Sequence, residues 1–268
     1  MKPQKIRQLD EATIGFIAAG EVVERPAQVV KELVENSLDA GATSITITVE
    51  GGGFDRLSVE DNGSGIDRDD LPLALDRHAT SKLRTKDDLA SILSLGFRGE
   101  ALASIGMVSR LQISSKPAGE AGACIVMEDG VKSAIQPMGM GDGTLITVEH
   151  LFRNTPARLA FQRRPETETA RIVDVVVDHA LAHPGCAFHL RTEQRTLLNV
   201  PATDNMLDRL YDIMGAQATE LVPLQQPPVD DDAPGAERWS GWISTPDITR
   251  GKGDDIHVLI NNLSLIHI

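Results

Sequence analysis

Apolar residues return every three or four positions from Val29 to Leu38, which puts Val30, Leu33, Val34 and Leu38 on one stripe of a helix. At about 100° per residue, Glu32, Asn36 and Asp39 then share a roughly 60° sector on the opposite side. Pro26 suits the first turn of this helix, and Gly41 suits its C-terminal end. Taken alone, two carboxylates and an amide so arranged describe the solvated face of an amphipathic helix. The residues downstream change that picture. Ile45, Ile47 and Val49 alternate with Thr46 and Thr48, the glycines at 51–53 make a hairpin turn, and Leu57 and Val59 point inward along a second strand. That strand delivers Asp61-Asn62-Gly63-Ser64-Gly65 at its end.

The same signals predict the other elements. Residues 12–23 form a helix capped by Asp10, with Gly15 and Gly20 marking either close backbone approach or a mobile arm. Asp67 caps a short helix reaching Leu75, Thr85 with Asp88 looks like a capping box for a helix to Leu93, and a further helix spans 99–105. Strands are expected at 110–115, 124–128, 131–136 and 144–149, then a helix from Pro156 and a long one over 166–182, then a hairpin of 188–190 and 197–200. Strands and helices mix without strict alternation. The fold class is therefore α/β of the α+β kind: a two-layer sandwich of a mixed, mostly antiparallel sheet with helices on one face. A boundary near Pro201 separates this domain, 1–200, from an incomplete second α/β domain, 201–262. The second domain holds a helix at 206–214 closed by Gly215, an exposed Pro- and Asp-rich loop at 223–236, and strands at 239–244 and 256–260.

Composition narrows the function classes. With 41% hydrophobic residues among 268 the chain can bury a proper core, but at 3% aromatic that core must be Val, Ile, Leu and Ala. A formal net charge of -13 argues against a surface that grips DNA throughout, so nucleic-acid contact would be local and non-specific. Arg153, Arg158, Arg163, Arg164 and Arg171 form the most basic stretch; surface salt bridges to Glu166, Glu168 and Asp174 account for it at least as well as a DNA patch. Cys124 and Cys186 are too few for a disulfide framework and read as packed, reduced thiols. The seven histidines lack metal spacing, and no zinc site is expected. Neither a signal peptide nor a membrane span is visible, so a soluble, intracellular protein with no membrane partner is expected.

In order along the chain, residues 18–26 (Ala-Ala-Gly-Glu-Val-Val-Glu-Arg-Pro), 31–42, 61–66, Arg77-His78-Ala79-Thr80-Ser81-Lys82, 95–102 and Asn154-Thr155-Pro156-Ala157-Arg158 resemble the GHKL ATPase superfamily. Within it they resemble the MutL family of DNA mismatch-repair proteins. The resemblance implies the GHKL (Bergerat) ATPase fold, with ATP and Mg²⁺ as cofactors. It assigns Glu32 as the base that activates water, a role typically worth roughly 10²- to 10⁴-fold in rate, and Asn36 as the amide oxygen on Mg²⁺, with Asp39 beyond it in the nucleotide site. The related histidine kinases keep the asparagine but lack this glutamate, so Glu32 favours hydrolysis over phosphotransfer. Asp61, acceptor-only when ionised, suits the exocyclic amine of adenine, and Gly63 and Gly65 let backbone approach the base. Thr144 supports the same contact through water. Gly96, Phe97, Arg98, Gly99, Glu100, Ala101 and Leu102 form a phosphate-facing lid, with Thr80, Ser81 and Lys82 in the neighbouring loop.

By that resemblance the chain is a slow Mg-dependent ATPase module of mismatch repair. Nucleotide state would drive homo- or heterodimerisation through the N-terminal arm and signal to the mismatch-recognition protein MutS and downstream repair enzymes. Its place would be the cytoplasm or nucleoid, or the nucleus in a eukaryote. The alternative is a nucleotide-gated interaction scaffold with negligible turnover. A chaperone- or topoisomerase-type relative would share Glu32, Asn36 and Asp61, but residues 96–102 and 154–158 favour MutL. Residues 263–268 are what CTG TCT CTT ATA CAC ATC encodes, the end of a sequencing-library adaptor, and are read as an artefactual tail on a truncated sequence. The family's second-domain lysine would then be missing and hydrolysis slow or absent; Lys252, in a polar Gly-Lys-Gly loop, is a poor substitute.

Overall fold

The structure, a computed structural model, describes residues 7–8, 11–82, 95, 99–224, 240–246, 257–260 and 263–264. Helix α1 (Glu11–Val22) leads into α2 (Pro26–Asp39), which begins on Pro26, where a missing N–H costs nothing, and ends where Gly41 turns to φ 74°. Val29, Val30, Leu33 and Val34 of α2 are completely buried. Its polar side is not solvated either: Glu32, Asn36 and Asp39 are half-buried, and no residue of α2 is exposed. Gly20 of α1 lies so close to the Arg158 guanidinium that a Cβ there would overlap it, which gives that glycine a close-approach role.

Strand β1 (Ser44–Glu50) turns through the 3₁₀ segment Gly51–Gly53 into the antiparallel β2 (Arg56–Asp61), pairing Ile47 with Val59 and Ile45 with Asp61. The 3₁₀ turn Arg68–Asp70 leads into the short α3 (Leu71–Ala74); Asp67 precedes it, but its side chain makes no capping bond, contrary to expectation. Helix α4 (Ala101–Met107) starts two residues later than predicted and feeds β3 (Arg110–Lys116) and β4 (Ala123–Glu128). The single strand expected over 131–136 is instead two short ones, β5 (Val131–Lys132) and β6 (Gln136–Pro137). Between them the Ser133 hydroxyl accepts the Val126 N–H at 3.0 Å, so a side chain replaces a ladder bond and the strand stops.

Strand β7 (Gly143–Glu149), α5 (Pro156–Ala160), α6 (Pro165–Ala182), β8 (Ala187–Thr192) and β9 (Thr196–Val200) complete this layer pair. The sheet runs β5-β4-β3-β7-β2-β1-β8-β9, with β6 beside β4. Only β1 and β8 pair in parallel among the described strands. Alternate strand residues, among them Ile45, Leu57, Leu111, Ile113, Ile125, Val148 and Phe188, meet the apolar stripes of α2, α4 and α6 in one core. After β7 the chain reverses through His150 (φ 54°) and Phe152 (φ 67°). Phe152 is fully buried, its N–H bonded to Val108 O at 2.7 Å and its ring centroid 5.7 Å from the Arg158 guanidinium carbon.

Beyond it, α7 (Met206–Met214), capped by the Asn205 side chain, and β10 (Leu221–Leu224) with β11 (Gly241–Ser244) gather a smaller cluster around Leu181, Leu210 and Ala218. Pro223 and Leu224, expected in a loop, belong to an edge strand, where proline is tolerated. Strand β12 (Leu259–Ile260) pairs with β13 (Leu263–Ser264). Arg209 of α7 is fully buried and donates through Nη2 to the carbonyls of Pro184 (2.7 Å), Cys186 (2.9 Å) and Pro201 (2.7 Å), tying α7 to the end of α6 and β9. Burial pushes the adjacent Cys186 thiol up to about 11, as suits a packed, unreactive cysteine. The helix expected at 85–93, Trp239, Lys252 and most of the loop at 223–236 lie outside the described residues. No helix among the described residues is long and apolar enough to cross a membrane.

Candidate functional site

Asp61 ends β2 beside the last turns of α2, and three donors hold its carboxylate. Ser37 Oγ donates to Oδ2 at 2.8 Å, the Gly63 N–H donates to Oδ1 at 2.9 Å, and the Thr144 backbone donates from the neighbouring β7. Burial raises the Asp61 pKa above the ordinary aspartate value, and the three donors pull it only part of the way back. Nothing in the sequence singles out Ser37, because serine on a helix carries no pattern of its own. The only hint was a small polar residue on the side of α2 that faces the core.

Thr144 lies opposite Asp61 in register, but its hydroxyl is buried against Ser115 Oγ at 3.0 Å. Ser115 Oγ donates to Gly143 O at 3.0 Å and accepts the Ile66 N–H at 2.8 Å, so its one proton is used and Thr144 is the donor between them. Asn62 splices the loop to the start of β1, its Oδ1 accepting from both Thr43 N and Ser44 N at 2.9 Å. The loop glycines have intramolecular reasons to be there. A Cβ on Gly63 would come within 2.9 Å of Ala40, and one on Gly65 (φ 75°) within 2.8 Å of the Pro117 nitrogen.

On the polar side of α2, Lys82 Nζ lies 2.8 Å from Asn36 Oδ1 and 2.5 Å from Asp39 Oδ2, while Asp39 Oδ1 accepts the Leu95 N–H at 3.0 Å. Thr80 Oγ1 accepts the Lys82 N–H at 3.1 Å and shapes the turn that delivers the lysine; Ser81 is exposed. Glu32 stands one turn before Asn36, half-buried on the same side. Of the expected lid, Gly96, Phe97 and Arg98 lie outside the described residues. Gly99 (φ 60°) accepts His78 N–H at 3.0 Å and sits so close to Ala79 that a Cβ would reach its carbonyl at 2.6 Å; Glu100 approaches the His78 ring at 3.2 Å; Ala101 and Leu102 open α4. Segments 78–82 and 99–100 are therefore neighbours.

Among the described residues no group of three or more His, Cys, Asp or Glu side chains could hold a metal ion. Mg²⁺ does not need one, since it keeps several waters and takes further oxygens from a bound phosphate. Asn36 Oδ1 already faces a cation, the Lys82 ammonium, so this neutral oxygen is oriented as a magnesium ligand would have to be.

Behind α2, Glu35 is almost wholly buried, 2.9 Å from Lys31 and 3.6 Å from His179 of α6. Burial pushes its carboxyl up, yet His179 and Lys31 outweigh that and hold it below the ordinary value. The Glu35–His179 contact ties α2 to α6, and hydrophobic patterning gives no sign of it. Arg153, Arg158 and Glu168 depart from the expected helix-surface pairing. Arg153 bridges Glu128 and Asp129 at 2.8 Å, Arg158 donates to Val23 O at 3.2 Å, and Glu168 is completely buried rather than available on the face of α6. A cleft of about 350 Å³ lined by Gly51, Asp55, His150, Arg153 and Arg163 lies at the opposite end of β2 from Asp61.

Residues 24–135 match the family model described as histidine kinase-, DNA gyrase B-, and HSP90-like ATPase. The chain is 45% identical over 258 residues to the DNA mismatch repair protein MutL of Halalkalibacterium halodurans, covering 96% of this chain and 40% of that one. It is 46% identical over 257 residues to the MutL of Trichlorobacter lovleyi, covering 96% and 42%. It thus spans about two fifths of the length of these relatives. Among solved structures it is similar to the Aquifex aeolicus MutL ATPase domain complexed with ADP, at TM-score 0.58 and 30% identity over 72% of this chain and 70% of that one.

Proposed function

Since the chain belongs to the MutL family of DNA mismatch repair proteins and carries its GHKL-type ATPase domain, we propose that it binds and hydrolyses ATP with Mg²⁺ in the space bounded by α2, the Asp61 loop and segments 78–82 and 99–100. Asp61 accepts the adenine amine; Asn36 holds the magnesium, with Asp39 beside it; Glu32 orients and deprotonates the attacking water. Thr80, Ser81, Lys82 and residues 99–102 lie toward the phosphates. When bound, the metal supplies charge neutralisation on the phosphates. Nucleotide state then governs dimerisation through the N-terminal segment and contact with MutS-like and downstream repair proteins, in the cytosol.

The observation that carries this reading is Asp61. A carboxylate pushed toward neutrality by burial, yet gripped by Ser37, Gly63 and Thr144, is aimed for a purpose beyond packing. The 30%-identical Aquifex aeolicus MutL ATPase domain is complexed with ADP, which supports nucleotide binding by this chain. Asp61→Asn is expected to weaken ADP binding by roughly 5- to 150-fold, the loss of one buried hydrogen bond worth about 1 to 3 kcal/mol. Isothermal calorimetry measures it, and an unchanged Kd refutes the adenine assignment.

Acid should act through the same residue. A carboxyl whose folded pKa is raised contributes stability below its unfolded value, and that contribution is lost as pH rises through the folded value. Nucleotide binding has the opposite sign, because the ionised carboxylate is the better acceptor. ADP affinity is therefore expected to fall on acidification, with its midpoint above the ordinary aspartate value, and to lose that limb in Asp61→Asn. A limb of the same size in both proteins would assign it elsewhere.

A further inference from the structure

We infer that Lys82 is the resident cation of the metal seat, a positioning residue that holds Asn36 and Asp39 in place until a divalent ion replaces it. The inference rests on the nucleotide-site reading and adds its regulation. Two acceptor oxygens from successive turns of α2 converge on one ammonium, at 2.8 and 2.5 Å, and the lysine and aspartate side chains are only 21% and 12% exposed. Lysine heads normally stay in water; this one is drawn in by a charge-assisted pair and fixed from behind by the Lys82 N–H bond to Thr80.

Magnesium coordinates oxygen at about 2.1 Å. An ammonium held 2.8 Å from Asn36 Oδ1 and 2.5 Å from Asp39 Oδ2 fills the space between those oxygens and sets a like charge where the ion would sit, so lysine and metal compete for the seat. Metal entry must therefore expel Lys82 and move the 80–82 turn, which lies against Gly99 and Glu100 through the His78 and Ala79 contacts. Occupancy of the metal seat and the position of this loop become one equilibrium, coupled in both directions. The released ammonium is left on the segment nearest the expected phosphates.

The test measures Mn²⁺ binding to nucleotide-free protein by electron paramagnetic resonance. Lys82→Met should bind Mn²⁺ at least roughly tenfold more tightly than wild type, since a like charge has left the seat, whereas Lys82→Arg, still cationic, should not. Equal affinity in wild type and Lys82→Met overturns the inference. Should Lys82→Met fail to fold, acetic anhydride labelling of wild type, read by mass spectrometry, serves instead: Lys82 acylation should rise as Mg²⁺ is added without nucleotide, and a flat response overturns the proposal. Calorimetry of wild type with Mg²⁺ and ADP separates the two layers. No ADP binding sinks the nucleotide reading itself, while normal ADP binding with unaltered Mn²⁺ affinity in Lys82→Met sinks only the role of Lys82.

Discussion

Glu32→Ala is expected to lower ATP turnover by roughly 10²- to 10⁴-fold while ADP binding persists. Glu32 lies one helical turn, about 6 Å along the axis, before the amide that would carry the metal. A base at that distance reaches a water beside the terminal phosphate rather than the nucleotide itself. The substitution removes an interaction made only on the way to the transition state, so the rate should fall without a matching change in affinity. The half-buried setting of this side chain matters, because a carboxylate on an open surface would exchange freely with bulk water and position nothing. Steady-state phosphate release with parallel ADP calorimetry decides it. If the parent chain releases no phosphate, the scaffold alternative and the expected loss of the second-domain lysine account for it equally; if Glu32→Ala releases as much as the parent, the base is another residue.

The largest stability effect is expected at Phe152→Ala, about 3 to 5 kcal/mol of lost folding free energy. For a chain of this size that corresponds to a fall in Tm of roughly 6 to 20 °C. The ring is fully buried where three segments meet. Its own N–H fastens the end of the β7 turn to Val108, ahead of β3, and its face supports Arg158, which in turn bonds Val23 O just before α2. Removing it opens a cavity that a backbone pinned at positive φ cannot collapse into. Phe161→Ala, at a residue 89% exposed, is the matched control and should stay within about 0.5 kcal/mol. Chemical denaturation of both proteins tests the contrast, and a loss below about 1 kcal/mol at Phe152 would mean that the junction repacks.

Much of the frame could be read directly from residues. Pro26 and Gly41 mark both ends of α2, and period-two alternation yields β1 and β2 with Asp61 at the strand end, because those signals are local and steric. What escaped depends on distant chain. Ser37, Asn62 and Ser115 acquire their roles only when α2, β1, β3 and β7 come together, and a hydroxyl or amide advertises no partner in advance. Glu35, Glu168 and Arg209 are buried charges, which patterning assigns to the surface by default. The end of the strand at 131–132 turned on one serine competing for a backbone bond. The Lys82 contact joins residues more than forty positions apart, and no spacing rule reaches that far.

The parallel ladder between β1 and β8 bears on biosynthesis. Ile45 waits for Phe188, more than a hundred residues downstream, whereas its antiparallel partner Asp61 follows within the same hairpin. Of all the pairings in the sheet this one bears the heaviest loop-closure entropy. On a translating ribosome the outer flank of β1 therefore stays bare, with unsatisfied amides and carbonyls, until the β8 segment has left the exit tunnel. A nascent chain stalled before that point offers neighbouring molecules an adhesive border that the finished protein conceals.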